Sequence, residues 1–219
     1  NASKDFIVVV KSGSHLQAWT TAKSSDGQTM ILTEAKAGTY DLRPNGNPFG
    51  VRVHVGADGA ATMAKLADLG GGRIIEIRSD KQLAGRVEGG KEVVYLGHEG
   101  KIYRWDGSGW TDKGSKVVSQ GAPLILRGVE ENAGKTLKVN VQITMTANRR
   151  GELSQKSEVL WGNVDPKTSG AFSMASVFSM EKVGANGKTQ TVKVNADVIL
   201  TFKDGKLNGQ SLPILDRSK

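Results

Sequence analysis

Residues 189–203 alternate almost without fault, and no other feature of the chain limits the fold so tightly. Val192, Val194, Ala196, Val198, Leu200 and Phe202 fall on one face, and Thr191, Lys193, Asn195, Asp197 and Thr201 on the other, with Ile199 as the one exception. A period of two is the period of a strand, because successive side chains point to opposite sides. One apolar and one polar face is the mark of an antiparallel sheet with one side buried and one side wet. Segment 136–146 repeats the pattern, with Leu137, Val139, Val141, Ile143 and Met145 set against Lys138, Asn140, Gln142, Thr144 and Thr146. Segment 170–182 puts Phe172, Met174, Phe178 and Met180 together, with Ser176 among them.

The connections fit the same reading. Asn186-Gly187 and Asp204-Gly205 lie between alternating runs, and such pairs supply the positive φ angles of tight hairpin turns. Asn148 to Gly151 should turn one strand back into the next. The C-terminal half then reads as a five-strand meander over about 136–147, 153–162, 170–183, 188–203 and 206–214. Strands of this length twist, so a curved sheet or half-barrel is expected. The N-terminal half reads as shorter strands at Phe6–Lys11, His15–Ala22, Gln28–Thr33, Thr39–Arg43, Val51–Val55 and Arg73–Arg78, with turns at Ser25–Gly27 and Asn45–Pro48. Segment 59–69 is Ala-rich, with Met63, Leu66 and Ala67 at helical spacing and Gly70–Gly72 to stop it, so it is read as one short helix. Glu92–Gly97 and Lys101–Trp105 form a hairpin through His98-Glu99-Gly100.

The expected fold is therefore all-β. A sandwich or open-barrel-like part with one short helix covers 1–116, and a long-stranded antiparallel meander covers 117–219. Charge changes near the same place: residues 1–110 carry 14 basic and 12 acidic side chains, and residues 111–219 carry 16 and 10.

Two short stretches have familiar local forms. Ala37-Gly38-Thr39-Tyr40-Asp41-Leu42-Arg43 resembles the strand start of secreted bacterial β-sandwich modules. Lys101–Trp110 resembles a hairpin of phage-tail proteins and of tectonin- or propeller-type repeats, in which Asp-Gly-Ser-Gly makes the turn and two Trp pack across it. They span seven and ten residues, and a propeller needs several copies where this chain has one. These resemblances imply a hairpin form and not a family.

Several chemistries are disfavoured by composition. With no cysteine among 219 residues, disulfides, thiolate metal sites and Cys nucleophiles are excluded. No G-x-S-x-G elbow accompanies His15, His54 and His98. No H-E-x-x-H or EF-hand spacing is present, and Asp26, Asp58, Asp106 and Asp204 each precede a Gly as hairpin turns do. Gly70-Gly71-Gly72-Arg73 is read as following a helix and opening a strand, the reverse of a phosphate cradle. Glu34, Asp41, Glu76 and Glu158 lie on or near strands, where a pair at about 5–9 Å would suit glycoside hydrolysis. No catalytic residue, metal site or cofactor is assigned from these patterns.

What remains is binding. The net charge of +8 favours anionic partners such as an acidic polysaccharide, an anionic lipid surface or an envelope protein. Lys and Arg are evenly spread, with Arg149-Arg150 the tightest cluster, and no aromatic strand signature marks a specific nucleic-acid binder. No apolar run is long enough to span a bilayer. Tyr103, Trp105 and Trp110 form an aromatic cluster able to stack on sugar rings. Met145, Met174, Phe178 and Met180, on the inner face of the meander, could line a pocket for a hydrophobic ligand. The start Asn1-Ala2-Ser3-Lys4, without Met, is expected of an exported, processed protein. The leading expectation is a non-catalytic exported bacterial protein with a binding or structural role at the envelope. The alternatives are a lipid carrier and a hydrolase of polysaccharide or peptide.

Overall fold

A computed structural model describes residues 6–23, 27–44 and 46–211. The start of the chain, most of the expected turn at Ser25–Gly27, Asn45 and everything beyond Ser211 lie outside the described residues. The fold is all-β, with antiparallel strands and helical turns of only three residues each. No helix among the described residues is long and apolar enough to cross a membrane.

The chain divides into two compact units. The first comprises residues 1–115 and 147–153, and the second residues 116–146 and 154–219. In the first unit, β1 (Phe6–Ser12), β2 (His15–Lys23) and β3 (Met30–Glu34) form a three-stranded sheet. A four-stranded sheet follows from β4 (Gly38–Leu42), β5 (Phe49–Val55), β6 (Ala61–Asp68) and β7 (Ile74–Ile77). A second four-stranded sheet is built from β8 (Leu83–Glu88), β9 (Lys91–His98), β10 (Lys101–Trp105) and β11 (Trp110–Asp112). Each sheet runs in chain order, so each of its pairings is a local hairpin. Ala18, Ala35, Val53, Val55 and Ala61 make one buried cluster, packed by Val9, Leu16, Tyr40 and Val51. Ala67, Ile77, Leu96 and Tyr103 make another, packed by Phe49, Ile75, Leu83 and Trp110.

The helix expected at 59–69 is not formed. Ala61–Asp68 is strand β6, paired along its length with β5 and at its end with β7. The helix propensity of Ala is worth only tenths of a kcal/mol over most residues. Burial outweighs it, since Leu66 and Ala67 are fully buried and Ala61 is nearly so. Asp58-Gly59 turns the chain, with the Gly56 N–H donating to the Ala60 carbonyl and the Asp58 carboxylate accepting from the Ala60 N–H.

The second unit contains two sheets. β12 (Lys116–Gln120), β13 (Leu124–Gly128), β14 (Thr136–Val139), β15 (Val141–Ala147), β16 (Leu153–Val159), β17 (Gly170–Val183), β18 (Thr189–Lys203) and β19 (Lys206–Ser211) follow in sequence. One sheet has the order β12-β15-β16, and the other, a curled half-barrel, β14-β13-β17-β18-β19. Of the five strands expected to form one meander, only β17, β18 and β19 do so, and the strand expected at 153–162 is β16 of the other sheet. Upstream, the alternating run 136–146 divides at Asn140 into β14 and β15, which belong to different sheets. The alternation on either side of Asn140 is unbroken, so the pattern carries no trace of the division. Leu126, Val139, Val164, Phe172, Val198, Leu200 and Phe202 form the buried cluster of this unit.

Candidate functional site

The first unit carries an open cleft of about 800 Å³, walled by four separate pieces of chain. Arg52 comes from β5, and Ile75 and Glu76 from β7. Arg78, Ser79 and Gln82 come from the loop and 3-10 turn that follow β7. His98 and Glu99 stand at the β9–β10 turn, and Arg149, Arg150 and Glu152 in the turn after β15.

Part of this charge is matched within the wall. Arg52 binds Asp41 through two bonds, Nε to Oδ1 at 2.8 Å and Nη2 to Oδ2 at 3.1 Å, and lies 3.7 Å from Glu76. The paired guanidinium holds the Asp41 carboxyl below its usual range, and Asp41 in turn raises Arg52. His54 Nε2 donates to Glu76 at 2.5 Å, so a neutral His54 ring accepts at Nδ1 from Thr39 Oγ1 at 3.1 Å. The Glu152 carboxylate accepts from the Asn148 amide at 2.9 Å. His98 lies 3.8 Å from the largely exposed Glu99 carboxylate.

Three guanidiniums remain. Arg78, Arg149 and Arg150 are exposed and have no carboxylate partner among the described residues. Their backbones, by contrast, are fixed. Asn148 Oδ1 accepts from the N–H groups of Arg150 and Glu152 at 3.0 and 2.9 Å, which closes the turn that presents both arginines. Beside that turn, Gln82 is 4% exposed; its Oε1 accepts from the N–H groups of Arg78 and Ser79, and its Nε2 donates to the Gly97 carbonyl. Gly97 and Gly151 touch backbone to backbone, so that a Cβ on Gly97 would lie 2.0 Å from the Gly151 carbonyl oxygen. The arrangement is a hydrogen-bonded frame that presents guanidiniums with no carboxylate partner among the described residues.

Gln82 gives a direct test of the frame. Gln82→Ala leaves two N–H groups and one carbonyl without their partner, and removing a buried hydrogen-bonding group costs about 2 kcal/mol or more. The expected result is a lower midpoint in thermal unfolding, with faster hydrogen exchange at the Arg78 and Ser79 amides. An unchanged exchange rate at those two amides would show that Gln82 does not fix the loop.

Of the residues singled out from sequence, Glu76, His98, Arg149 and Arg150 line this cleft, and the aromatic and methionine candidates lie elsewhere. Tyr103 is buried, with its hydroxyl accepting from Arg73 Nη2 at 3.0 Å and the same guanidinium 5.4 Å from its ring. Trp110 packs edge-on against Phe49 at 5.6 Å and donates from Nε1 to the Asp68 carbonyl. Trp105 is half-buried, 5.4 Å from Trp110 across the hairpin. The aromatic cluster therefore joins sheets within the first unit. In the second unit, Met145 is fully buried on β15, whereas Met174, Phe178 and Met180 lie on β17 in the other sheet. Met174 and Phe178 pack onto the buried cluster around Phe202, and Met180 is half-buried farther out along the strand.

Sequence reasoning noticed the Arg149-Arg150 pair but not Arg78 or Gln82. A readable signal existed for Gln82, since Ser79-Asp80-Lys81-Gln82 has the capping-box spacing and forms that box. Among the described residues no group of three or more His, Asp or Glu side chains is placed to hold a metal ion. Comparison with protein-family models, with curated proteins and with solved structures finds no match to the chain.

Proposed function

We propose that this chain is a non-catalytic binding protein that holds an anionic polymer, an acidic polysaccharide in the first instance, in the arginine-walled cleft of its first unit. The observation that carries this reading is the set of three guanidiniums that two separate pieces of chain bring to one cleft, with no carboxylate partner among the described residues. A guanidinium presents its N–H donors as a planar fork that matches a carboxylate or sulfate two bonds at a time. A cleft concentrates the field of such charges on a ligand. The remaining wall groups (Glu99, Glu152 and Ser79) offer oxygen atoms that accept from sugar hydroxyls. An exported protein at a bacterial envelope would meet such polymers, and the envelope setting belongs to the same proposal.

The test is titration with polygalacturonate, with neutral dextran of similar length as the comparison. Binding is expected for the acid alone and should weaken as salt screens the contact. Combining Arg78→Gln, Arg149→Gln and Arg150→Gln should weaken it about tenfold, since exposed charge contacts contribute roughly 0.5 kcal/mol each. A second triple variant, Lys138→Gln, Lys193→Gln and Lys203→Gln in the other unit, removes the same charge away from the cleft. Equal losses in the two variants would mean that diffuse basicity does the binding, and the cleft reading fails.

A further inference from the structure

We infer that the outer half of β17 is a pairing edge for a second copy of this chain. β17 meets β13 only at Ser173↔Arg127 and Phe172↔Gly128. From Ala175 to Val183 its strand partner among the described residues is β18 alone. Among the described residues β18 meets β19 only from Ile199 onward. Among the described residues, 175–183 and 189–197 thus run on as a two-stranded ribbon, about 30 Å long at ~3.4 Å per residue. Ribbons of two strands are marginal in water and gain stability from a third.

The two edges of the ribbon are not equivalent. Natural edge strands are guarded by charge, proline or bulges. The β18 edge carries Lys193 and Asp197 in mid-ribbon. The β17 edge has neither charge nor proline from Ala175 to Met180, and its Glu181 and Lys182 come only near the tip. It also leaves Val177 60% and Val183 68% exposed.

Symmetry selects one register. A two-fold axis perpendicular to the sheet keeps the apolar faces of both copies on one side, which requires paired residue numbers to sum to an even value. With the axis at Ser179, Phe178 faces Met180 of the second copy, and Met180 faces its Phe178. Ser176 then faces Lys182, Val177 faces Glu181, and no like charges meet. Moving the axis to Phe178 drives Val183 of the second copy onto the position opposite Ser173, which Arg127 already occupies. Moving it to Met180 sets Phe178 against Lys182. The Ser179 axis ends the paired strand of the second copy at Val183 opposite Ala175, two residues short of the Ser173 position that Arg127 holds, and sets Phe178 against Met180. An edge contact of this length is below the ~1,200 Å² of stable interfaces, so the dimer should be of micromolar strength or weaker.

The chain has no cysteine, which makes the test clean. In the full-length protein, Ser179→Cys puts two thiols across the axis, where opposed antiparallel residues have Cα spacings of about 4.5–5.5 Å, within disulfide reach. Asn195→Cys puts a thiol on the same polar face but on the other strand. On oxidation at about 100 µM, Ser179→Cys should become a disulfide-linked dimer at least tenfold faster than Asn195→Cys. Sedimentation of the unmodified chain should show a concentration-dependent dimer, which Met180→Lys weakens at least tenfold. A chain that stays monomeric at this concentration, or equal cross-linking of the two cysteine variants, overturns the inference. A monomer with slow amide exchange over Ala175–Met180 overturns it too, and assigns the edge to another part of the same chain.

Discussion

Gly97→Ala is expected to lower the stability of the first unit by about 3 kcal/mol and to abolish anion binding together with it. The new methyl would sit 2.0 Å from the Gly151 carbonyl oxygen and 2.9 Å from Leu153 Cδ2. The nearer obstacle is backbone, which cannot rotate aside as a side chain can. Overpacking at a filled site costs about 1–3 kcal/mol, occasionally more, and a backbone obstacle puts this case at the upper end. Relief comes by moving the 147–153 turn away from β9, and Arg149 and Arg150 move with it. Stability and affinity should thus fall together, whereas the triple arginine variant should lose affinity alone. Gly85→Ala is the comparison, since a Cβ there meets nothing within 4 Å and should change stability by no more than about 0.5 kcal/mol. Calorimetry and polygalacturonate titration on the two variants decide the matter. A Gly97→Ala protein that melts and binds like its parent would show that the two backbones are not held in contact in solution.

Phe202→Ala is expected to have the largest effect in the second unit, about 3–5 kcal/mol. Its ring is 2% exposed, packed edge-on to Phe172 at 5.8 Å and tilted against Trp161 at 6.0 Å. Truncating a buried Phe loses its transfer free energy and leaves a cavity that a closely packed sheet fills poorly. The aromatic pairs contribute beyond burial as well. Phe202→Leu keeps most of the volume and should cost less than half as much. Urea unfolding midpoints of the two variants make the comparison, and equal losses would mean that ring packing contributes nothing specific.

The strands were legible because alternation reports directly on which face is buried. In β18 the reading holds residue by residue, yet burial fades along the strand. Val198, Leu200 and Phe202 are buried, whereas Val192 on the same face is 40% exposed. Sequence tells which face is apolar, but not where the covering layer ends. The segment 59–69 was misread because Ala suits both a helix and a crowded strand, and the pairing with β5 and β7 is a non-local fact. The cleft was legible only in fragments. Arg149-Arg150 stands out in the chain, but Arg78 joins it only through the frame of Gln82, Gly97 and Gly151. Two glycines in backbone contact leave no periodic or compositional trace. The methionines misled for a related reason, since Met145 and Met174 share a pattern but not a sheet.

The first unit is discontinuous in sequence, and that has a consequence for how it is made. Its last piece, residues 147–153, is complete only 38 residues after Ser115 (153 − 115). At about 5–20 residues per second the ribosome takes roughly 2–8 s to cover that interval. The three sheets can pair during this time, because each is a set of consecutive hairpins. The arginine turn cannot join them, so the nascent unit spends seconds with Gly97 uncovered and one cleft wall missing. If the cleft binds anions as proposed, capture would begin only after the second unit is already being translated, and a chain terminated in that interval would carry the sheets without the cleft.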